Sequence, residues 1–327
     1  MTELQIFTLV LPVIALIAVG WVAVRLKILA ASDAKPLTTC FLYIFLPALL
    51  IAHLAKQNVR ALLDVPFIAA TAALMLGIYG TLLLIQRFVL KRPLDVSALA
   101  AFAGSKFNAV VVGLPLLVAA LGKDAITPVL VNLILGYFTI LPLTLVLLEV
   151  EKAKRAEKEA KLSGSILRAI RHTAVDPLVV ATVLGITLSA TGAVLPGWVS
   201  ETLSTLGAAA IPVPLVAVGM TIRLSGFKKH TGEIVWMSAV RSIASPLAAI
   251  GVAKAFSLSP VLSIALVISF GLPTAKMAFA LAEEYGDYVE TLAGIVTLTT
   301  TATVLTYPAL VWACERIWPG VIAAHAG

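Results

Sequence analysis

Charged residues are scarce in this sequence. Asp, Glu, Lys and Arg make up 13 % of the 327 residues, 60 % are hydrophobic, and the mean hydropathy is +1.04. Soluble domains carry about 25 % charged and about 45–50 % apolar residues. An ordinary soluble fold is therefore excluded. Because a transmembrane helix needs about 20 apolar residues, roughly ten of them would use about two thirds of the chain.

The usual metal ligands and catalytic motifs are also missing. The two cysteines, Cys40 and Cys314, lie in separate apolar segments, which excludes a disulfide framework and a Cys-rich metal site. The four histidines lie at loops or segment ends without metal-ligand spacing. No nucleophile–base pair, phosphate-binding loop or zinc motif is present. The sequence predicts no catalytic residues, no metal site and no cofactor, and hence no enzyme.

Ten apolar segments follow one another along the chain and predict an all-α polytopic membrane protein. They are 4–25, 36–55, 66–89, 96–121, 126–149, 174–195, 199–222, 233–256, 260–283 and 288–314. The first segment has no basic residues before it, and Arg25 and Lys27 lie at its far end. It is therefore interpreted as a retained helix rather than a secretory signal.

The basic residues predict the orientation. Sixteen Lys and Arg residues follow odd-numbered segments, and five lie in the loops on the opposite side. Because cytoplasmic loops are enriched in Lys and Arg, both termini are predicted outside the bacterial inner membrane and the 150–173 loop in the cytosol. The net charge of +7 is explained by this placement and not by nucleic acid. The 150–173 loop is either an amphipathic helix attracted to anionic lipid or a solvated linker.

An internal repeat divides the chain. Three positions recur at one offset of 165 residues: Pro12, Gly20 and Pro47 are matched by Pro177, Gly185 and Pro212. The sequence predicts one five-helix repeat at 1–149, the linking loop at 150–173, and a second repeat at 174–327. Since five is an odd number, the second repeat enters the membrane from the opposite side, an arrangement typical of secondary transporters.

The fourth and ninth segments carry interior breaks. At an offset of 165 or 166, the stretch Lys106-Phe107-Asn108 falls on Leu272-Pro273-Thr274. A proline in mid-helix removes a backbone hydrogen bond, and irregular backbone in a membrane must be buried in protein or line a cavity. Broken helices that cross there would present positive half-helix N-termini to an anion. The alternative is a simple kink at Pro273.

These two segments resemble the auxin efflux carrier family, which includes bacterial malonate-type carriers and the plant PIN-formed auxin carriers. The fourth segment, SKFNAVVVGLPLL, resembles the plant pattern S-L-P-N-T-L-V-M-G-I-P-L-L, and the ninth, LPTAKMAFALAEEYG, resembles L-P-Q-G-I-V-P-F-V-F-A-K-E-Y-N. The resemblance covers all ten segments. It implies two inverted five-helix repeats in which helices four and nine are broken and cross, small carboxylated anions as substrates, and a homodimer.

The resemblance also implies site residues. Asn108 matches the asparagine that holds the substrate carboxylate, and Pro273, followed by Thr274, matches the crossing proline. Asn132 and Tyr137 match a Gln and a Tyr that the family has at the same spacing of five.

Two departures from the family pattern stand out. Phe107 replaces the proline before the asparagine, which weakens the prediction of a break in segment four. Thr71 and Met75 replace an acid–base pair, which leaves the coupling ion, proton or sodium, open.

Three basic residues, Lys106, Arg241 and Lys276, lie inside predicted segments. A charge at that depth costs about 2.5–3.5 kcal/mol unless it faces a cavity or a partner. Both lysines are candidates to bind an organic anion; the alternative is that they extend toward the membrane surface. Arg241 is expected to pair with backbone carbonyls or a carboxylate. The threonines in TLTTTATVLT of segment ten are expected to pack helices.

The sequence therefore predicts a secondary transporter of small organic anions, either malonate-like dicarboxylates or auxin-like carboxylates, that works by alternating access. Its predicted partners are the anion, proton or sodium, membrane lipid and a second copy of the chain. Two alternatives from other classes are a membrane-embedded lipid-modifying enzyme and a channel or sensor with the same fold. The predicted substrate-binding residues are Lys106, Asn108, Asn132, Tyr137, Pro273, Thr274 and Lys276.

Overall fold

The structure, a computed structural model, describes residues 3–56, 64–155, 177–221, 230–285 and 288–325. Over these residues it is all-helical, as predicted, and it contains no strand. The helices are α1 (Glu3–Arg25), α2 (Ala31–Leu54), α3 (Val65–Val89), α4 (Leu94–Ser105), α5 (109–121), α6 (126–155), α7 (Pro177–Thr191), α8 (Gly197–Thr221), α9 (Thr231–Ala255), α10 (Pro260–Gly271), α11 (Met277–Tyr285), α12 (Val289–Ile317) and α13 (Val321–His325).

Within the part of the chain that the structure describes, six helical stretches are long and apolar enough to cross a membrane. They are Ala31–Leu54, Val65–Val89, Ala109–Arg155, Gly197–Thr221, Thr231–Ala255 and Val289–Ile317. Helix α6 continues to Arg155, beyond the predicted end at residue 149. The remainder of the predicted 150–173 loop, from residue 156, lies outside the described residues.

Local sequence signals explain where several helices begin. Asp64 caps α3, because its side chain accepts a hydrogen bond from the Phe67 amide at 2.8 Å. Pro93 and Pro196 immediately precede α4 and α8. Proline has no amide hydrogen to lose, and its fixed φ suits the entrance of a helix.

Helices α1, α2, α7 and α8 pack against one another, and glycines allow the closest contacts. A Cβ atom at Gly20 would lie 2.0 Å from the carbonyl oxygen of Val216, and one at Gly219 would lie 1.9 Å from that of Ile17. Helices α1 and α8 therefore touch backbone to backbone. Small residues commonly form such interfaces between membrane helices, because close approach maximises van der Waals contact.

The second group of helices surrounds the two interrupted ones. Helix α4 packs between α3 and α6, and α10 packs against α9 and α12. A buried hydrogen bond of 3.1 Å from the Thr144 hydroxyl to Tyr79 joins α6 to α3. At one end of this group Glu233 of α9 accepts hydrogen bonds from Gln86, Arg92 and Tyr288. This group holds the helix breaks in place.

Candidate functional site

Two helices are interrupted, and the interruptions pair with each other. Helix α4 ends at Ser105 and α10 ends at Gly271. The Asn108 amide donates to the Pro273 carbonyl at 2.9 Å, and the Ala275 amide donates to the Lys106 carbonyl at 3.1 Å. These bonds form a short antiparallel bridge centred on Phe107 and Thr274.

The break after α4 therefore forms although Phe107 stands in place of the family's proline. The backbone groups at this break would be costly to bury unpaired in an apolar environment, and the bridge supplies partners for them. A proline is thus not needed at this position to interrupt the helix.

Asn108 begins α5. Its side-chain oxygen accepts a hydrogen bond from the Val111 amide at 3.2 Å, as an N-cap residue does. Its side-chain amide nitrogen has no acceptor among the described residues. The side chain is buried, so this nitrogen is a hydrogen-bond donor still available at the crossing.

Arg241 of α9 joins the ends of both interrupted helices. Its guanidinium donates to the carbonyls of Leu272, Phe270 and Ser269 at 2.8, 2.8 and 3.3 Å, and to that of Gly104 at 2.9 Å. The side chain is 0 % exposed. Of the two partners expected for Arg241, backbone carbonyls or a carboxylate, the structure shows backbone carbonyls.

The position of Arg241 determines the charge of the crossing. The C-terminal ends of α4 and α10 carry partial negative charge, and the guanidinium lies on both. It also lies over the rings of Phe107 and Phe270, at 5.1 and 5.8 Å from their centroids. Because the negative helix ends are neutralised, the positive N-termini of α5 and α11 dominate the region between the breaks.

Lys106 adds a full positive charge there. The residue is 5 % exposed, and its ammonium lies 5.3 Å from the ring centroid of Tyr137 in α6. Gly136 makes room for it, since a Cβ at that position would lie 1.9 Å from the Lys106 Nζ. Among the described residues no carboxylate pairs with this ammonium. The ammonium is thus buried beside an aromatic ring and forms no ion pair with a described residue.

Two of the predicted residues are engaged within the protein. The Asn132 amide donates to the Ser269 hydroxyl at 2.9 Å, which ties α6 to the last turn of α10. The Thr274 hydroxyl donates to the Ala103 carbonyl at 3.0 Å. Both side chains are 0 % exposed. These two hydrogen bonds help to hold the crossing together, and the Asn132 side-chain oxygen has no hydrogen-bond partner among the described residues.

Lys276 lies in a different place. It is exposed and lines a cavity of about 300 Å³ with residues of α8, α11 and α12. None of the other six predicted site residues lines this cavity. The structure therefore brings together Lys106 and Tyr137, and Asn108, Pro273 and Thr274, but it leaves Lys276 among separate neighbours.

Comparison with known proteins identifies the family. Residues 5–312 match the family described as "Membrane transport protein". The chain belongs to this family, the auxin efflux carriers.

Two curated relatives of this carrier span nearly the whole chain. A "Putative malonate transporter" of Rhizobium meliloti (strain 1021) is 25 % identical over 312 residues, which covers 94 % of this chain and 95 % of the relative. An "Uncharacterized transporter" of Methanothermobacter thermautotrophicus is 20 % identical over 302 residues, 91 % and 95 % of the two chains. The carrier is thus a multi-pass membrane protein of a transport family, and such membership implies that it is not an enzyme.

Sequence reasoning missed two features of the carrier's site. It did not foresee that one arginine binds both helix ends, because the carbonyls come from segments far apart in the chain. It also assigned the threonines of segment ten to packing as a group, whereas Thr297, Thr300 and Thr301 line the cavity beside Lys276.

Proposed function

We propose that this protein is a secondary active transporter of small organic anions, malonate-like dicarboxylates or auxin-like carboxylates, working by alternating access. The observation that carries the proposal is the buried ammonium of Lys106 at the point where two interrupted helices pair. A buried charge without a partner is costly, so it is retained where a ligand of opposite charge completes it. The name of the Rhizobium relative agrees with a carboxylated anion.

The proposed architecture is ten crossing helices in two inverted repeats, 1–149 and 174–327, linked by 150–173. Three pairs of helices support it, because their first residues are 166 apart: Ala31 and Gly197, Val65 and Thr231, and Leu94 and Pro260.

The glycine contacts of α1, α2, α7 and α8 also support the two inverted repeats. Gly20 and Gly219 form the contact between α1 and α8, and Gly185 approaches Leu54 where α7 meets α2. An offset of 165 relates Gly20 to Gly185 and Leu54 to Gly219. These four helices are the proposed scaffold, and the helices around the breaks are the proposed moving part.

In the proposed site, the Lys106 ammonium and the side-chain amide of Asn108 bind the substrate carboxylate directly. Tyr137 positions the ammonium, and Asn132, Pro273 and Thr274 maintain the geometry of the crossing. Lys276, three residues after Pro273, provides a second positive charge. Proton or sodium is the proposed coupling ion, and a homodimer in contact with membrane lipid is the proposed assembly.

Replacing Lys106 by Met tests the proposal. Methionine keeps most of the apolar volume and removes the ammonium, so the hydrogen bond to the carboxylate loses its charge. A charge-assisted hydrogen bond contributes about 1.5–3 kcal/mol, and the dissociation constant for malonate should rise about tenfold or more. Isothermal titration of purified protein measures the constant, and uptake of labelled malonate into proteoliposomes measures transport.

Lys254→Met is the matched control, because Lys254 is exposed near the end of α9 and should bind malonate no differently from the wild type. A second variant, Asn108→Asp, keeps an oxygen to accept from the Val111 amide and removes the amide donor. It should therefore fold and bind malonate weakly. Wild-type malonate affinity in both Lys106→Met and Asn108→Asp would contradict the proposed site.

The proposed orientation predicts that the α1–α2 and α7–α8 loops lie on opposite sides of the bacterial inner membrane. Ile28 and Val194 are exposed in these loops, 70 % and 93 % respectively. In a Cys40→Ala background, an impermeant maleimide should label Val194→Cys on intact cells. Ile28→Cys should react only after permeabilisation. Cys314 is 0 % exposed and can remain. Labelling of both positions from the same side would contradict the orientation and the odd number of crossings between them.

A further inference from the structure

We propose that the cavity beside Lys276 is a second binding position for a carboxylate, separate from Lys106 and formed by the Lys276 ammonium with the hydroxyls of Thr300 and Thr301. This inference rests on the proposed function, since it assigns a further position to the same class of substrate. Two observations support it: the residues that line the cavity, and the hydrogen bonds that the hydroxyls of its threonines make.

The cavity lies where three helices meet. Its volume is about 300 Å³, enough for a small organic anion. Its walls are the last residue of α8, Thr221, together with Lys276 and Phe279 and one face of α12. The residues of that face recur at intervals of three and four, as one side of a helix requires: Ala293, Val296, Thr297, Thr300 and Thr301.

The charge of the cavity is positive. Lys276 is the one ionisable residue among its described lining residues, and no described carboxylate pairs with it. The other lining groups are apolar or hydroxyl-bearing. An anion in the cavity would therefore meet an ammonium and hydroxyl groups, and none of the described lining residues carries a negative charge.

The threonine hydroxyls divide into two kinds. Those of Thr221 and Thr297 donate their hydrogens to the Val218 and Ala293 carbonyls of their own helices, both at 2.8 Å. A hydroxyl has a single hydrogen to donate, so these two can only accept from a ligand. Thr300 and Thr301 donate to no described residue, and their hydrogens are available. The helix turn thus presents two free donors beside Lys276.

Lys106 and Lys276 lie beside the same crossing, but their ammonium groups have different neighbours. The Ala275 amide binds the Lys106 carbonyl, so the residue directly before Lys276 is tied to Lys106 through the backbone. The Lys106 ammonium lies at Tyr137 of α6, whereas Lys276 lines the cavity between α8 and α12. A carboxylate at the second position would occupy the junction of the proposed scaffold and the proposed moving part.

Four variants test the inference by isothermal titration with malonate in detergent without anionic phospholipid. Lys276→Met should raise the dissociation constant about tenfold, as expected for loss of one charge-assisted hydrogen bond. The Thr300→Val, Thr301→Val double variant should raise it roughly fivefold or more, since two neutral donors are lost. Thr297→Val is the matched control: it lies on the same face, but its hydrogen is already used, and its constant should match the wild type. Lys106→Met measures the contribution of the first binding position, at Lys106, to malonate affinity.

The outcomes separate the two proposals. Malonate binding that weakens in Lys106→Met, but not in Lys276→Met or the double threonine variant, would overturn this inference and leave the proposed function standing. Equal weakening in Thr297→Val and the double variant would overturn the donor assignment. A wild-type protein that binds no carboxylate would overturn both proposals. If Lys276→Met leaves the dissociation constant for malonate unchanged but abolishes phosphatidylglycerol binding in nanodiscs, the cavity binds a lipid phosphate. That result would overturn the carboxylate position.

Discussion

Replacing Arg241 by Met should prevent the protein from accumulating in a folded form. The side chain binds four backbone carbonyls at 3.3 Å or less, and they belong to the last turns of two different helices and the residue that follows. The Ser269 carbonyl still accepts from the Leu272 amide at 3.2 Å, but the other three would each lose a partner, at about 1–3 kcal/mol apiece. The sum is comparable with the entire stability of many proteins, about 5–15 kcal/mol. Fluorescence size-exclusion chromatography of a GFP fusion should show an aggregated or absent peak.

Two further substitutions make this prediction specific. Arg87→Met is the matched control, because Arg87 is exposed and donates to one carbonyl, Arg92, which water can satisfy instead. It should give a wild-type elution profile. Arg241→Lys keeps the charge but lacks the planar fork that reaches several carbonyls, so its melting temperature should lie well below that of the wild type. A stable, monodisperse Arg241→Met protein would contradict the proposed role of the guanidinium.

Gly219→Ala should produce the second large effect, a loss of stability at the contact of α1 with α8. The new methyl carbon would lie 1.9 Å from the carbonyl oxygen of Ile17 and 3.1 Å from the Trp21 amide nitrogen. These are backbone atoms, so no side chain can move aside, and the two helices must separate. Overpacking costs about 1–3 kcal/mol and occasionally more, and the lost packing along both helices adds to it. The melting temperature in detergent should fall by roughly 5 °C or more.

The chain offers a control and an internal check for this prediction. A Cβ atom at Gly77 of α3 would meet nothing within 4 Å, so Gly77→Ala should leave the melting temperature unchanged or raise it. Gly20→Ala should resemble Gly219→Ala, because the same pair of helices separates. The double variant should lose less than the two single losses combined, since the first methyl already moves the helices apart. Additive losses would show that the two glycines act at independent contacts.

The positions of the helices could be predicted from the sequence because they depend on local properties. Apolar length fixes where helices run, and residues such as Asp64 and Pro196 mark where they begin. The break in segment nine is also local, since Pro273 cannot continue a helix. The break at Phe107 is not local: a bridge to another helix and the guanidinium of Arg241 stabilise it. No pattern within ten residues of Phe107 reports those partners.

The candidate site shows the same limit. Lys106 could be identified because a charge in an apolar run is conspicuous, but its contact with Tyr137 depends on how α6 packs. In the resemblance to the plant carriers, Thr71 stands at the position of the acid and Met75 at that of the base, and this chain has Arg241, which lies 166 residues beyond Met75. The helix starts at Val65 and Thr231 have the same spacing, so the cation occupies the equivalent position of the other repeat under the proposed symmetry. The repeat in the sequence left the offset at 165 or 166, and the helix starts select 166.

The guanidinium that binds both helix ends also determines where the protein can bend. Leu272 and Gly104 accept from the same side chain, so the two interruptions cannot slide past each other without breaking a charged contact that is fully buried. Helices α4, α9 and α10 should consequently travel as one rigid body, and the substrate position should travel with them. In the proposed alternating-access cycle, the flexible joints should then lie in the connections between this body and the group of α1, α2, α7 and α8. A crosslink between α4 and α10 would leave the cycle running, whereas one between α1 and α10 would stop it.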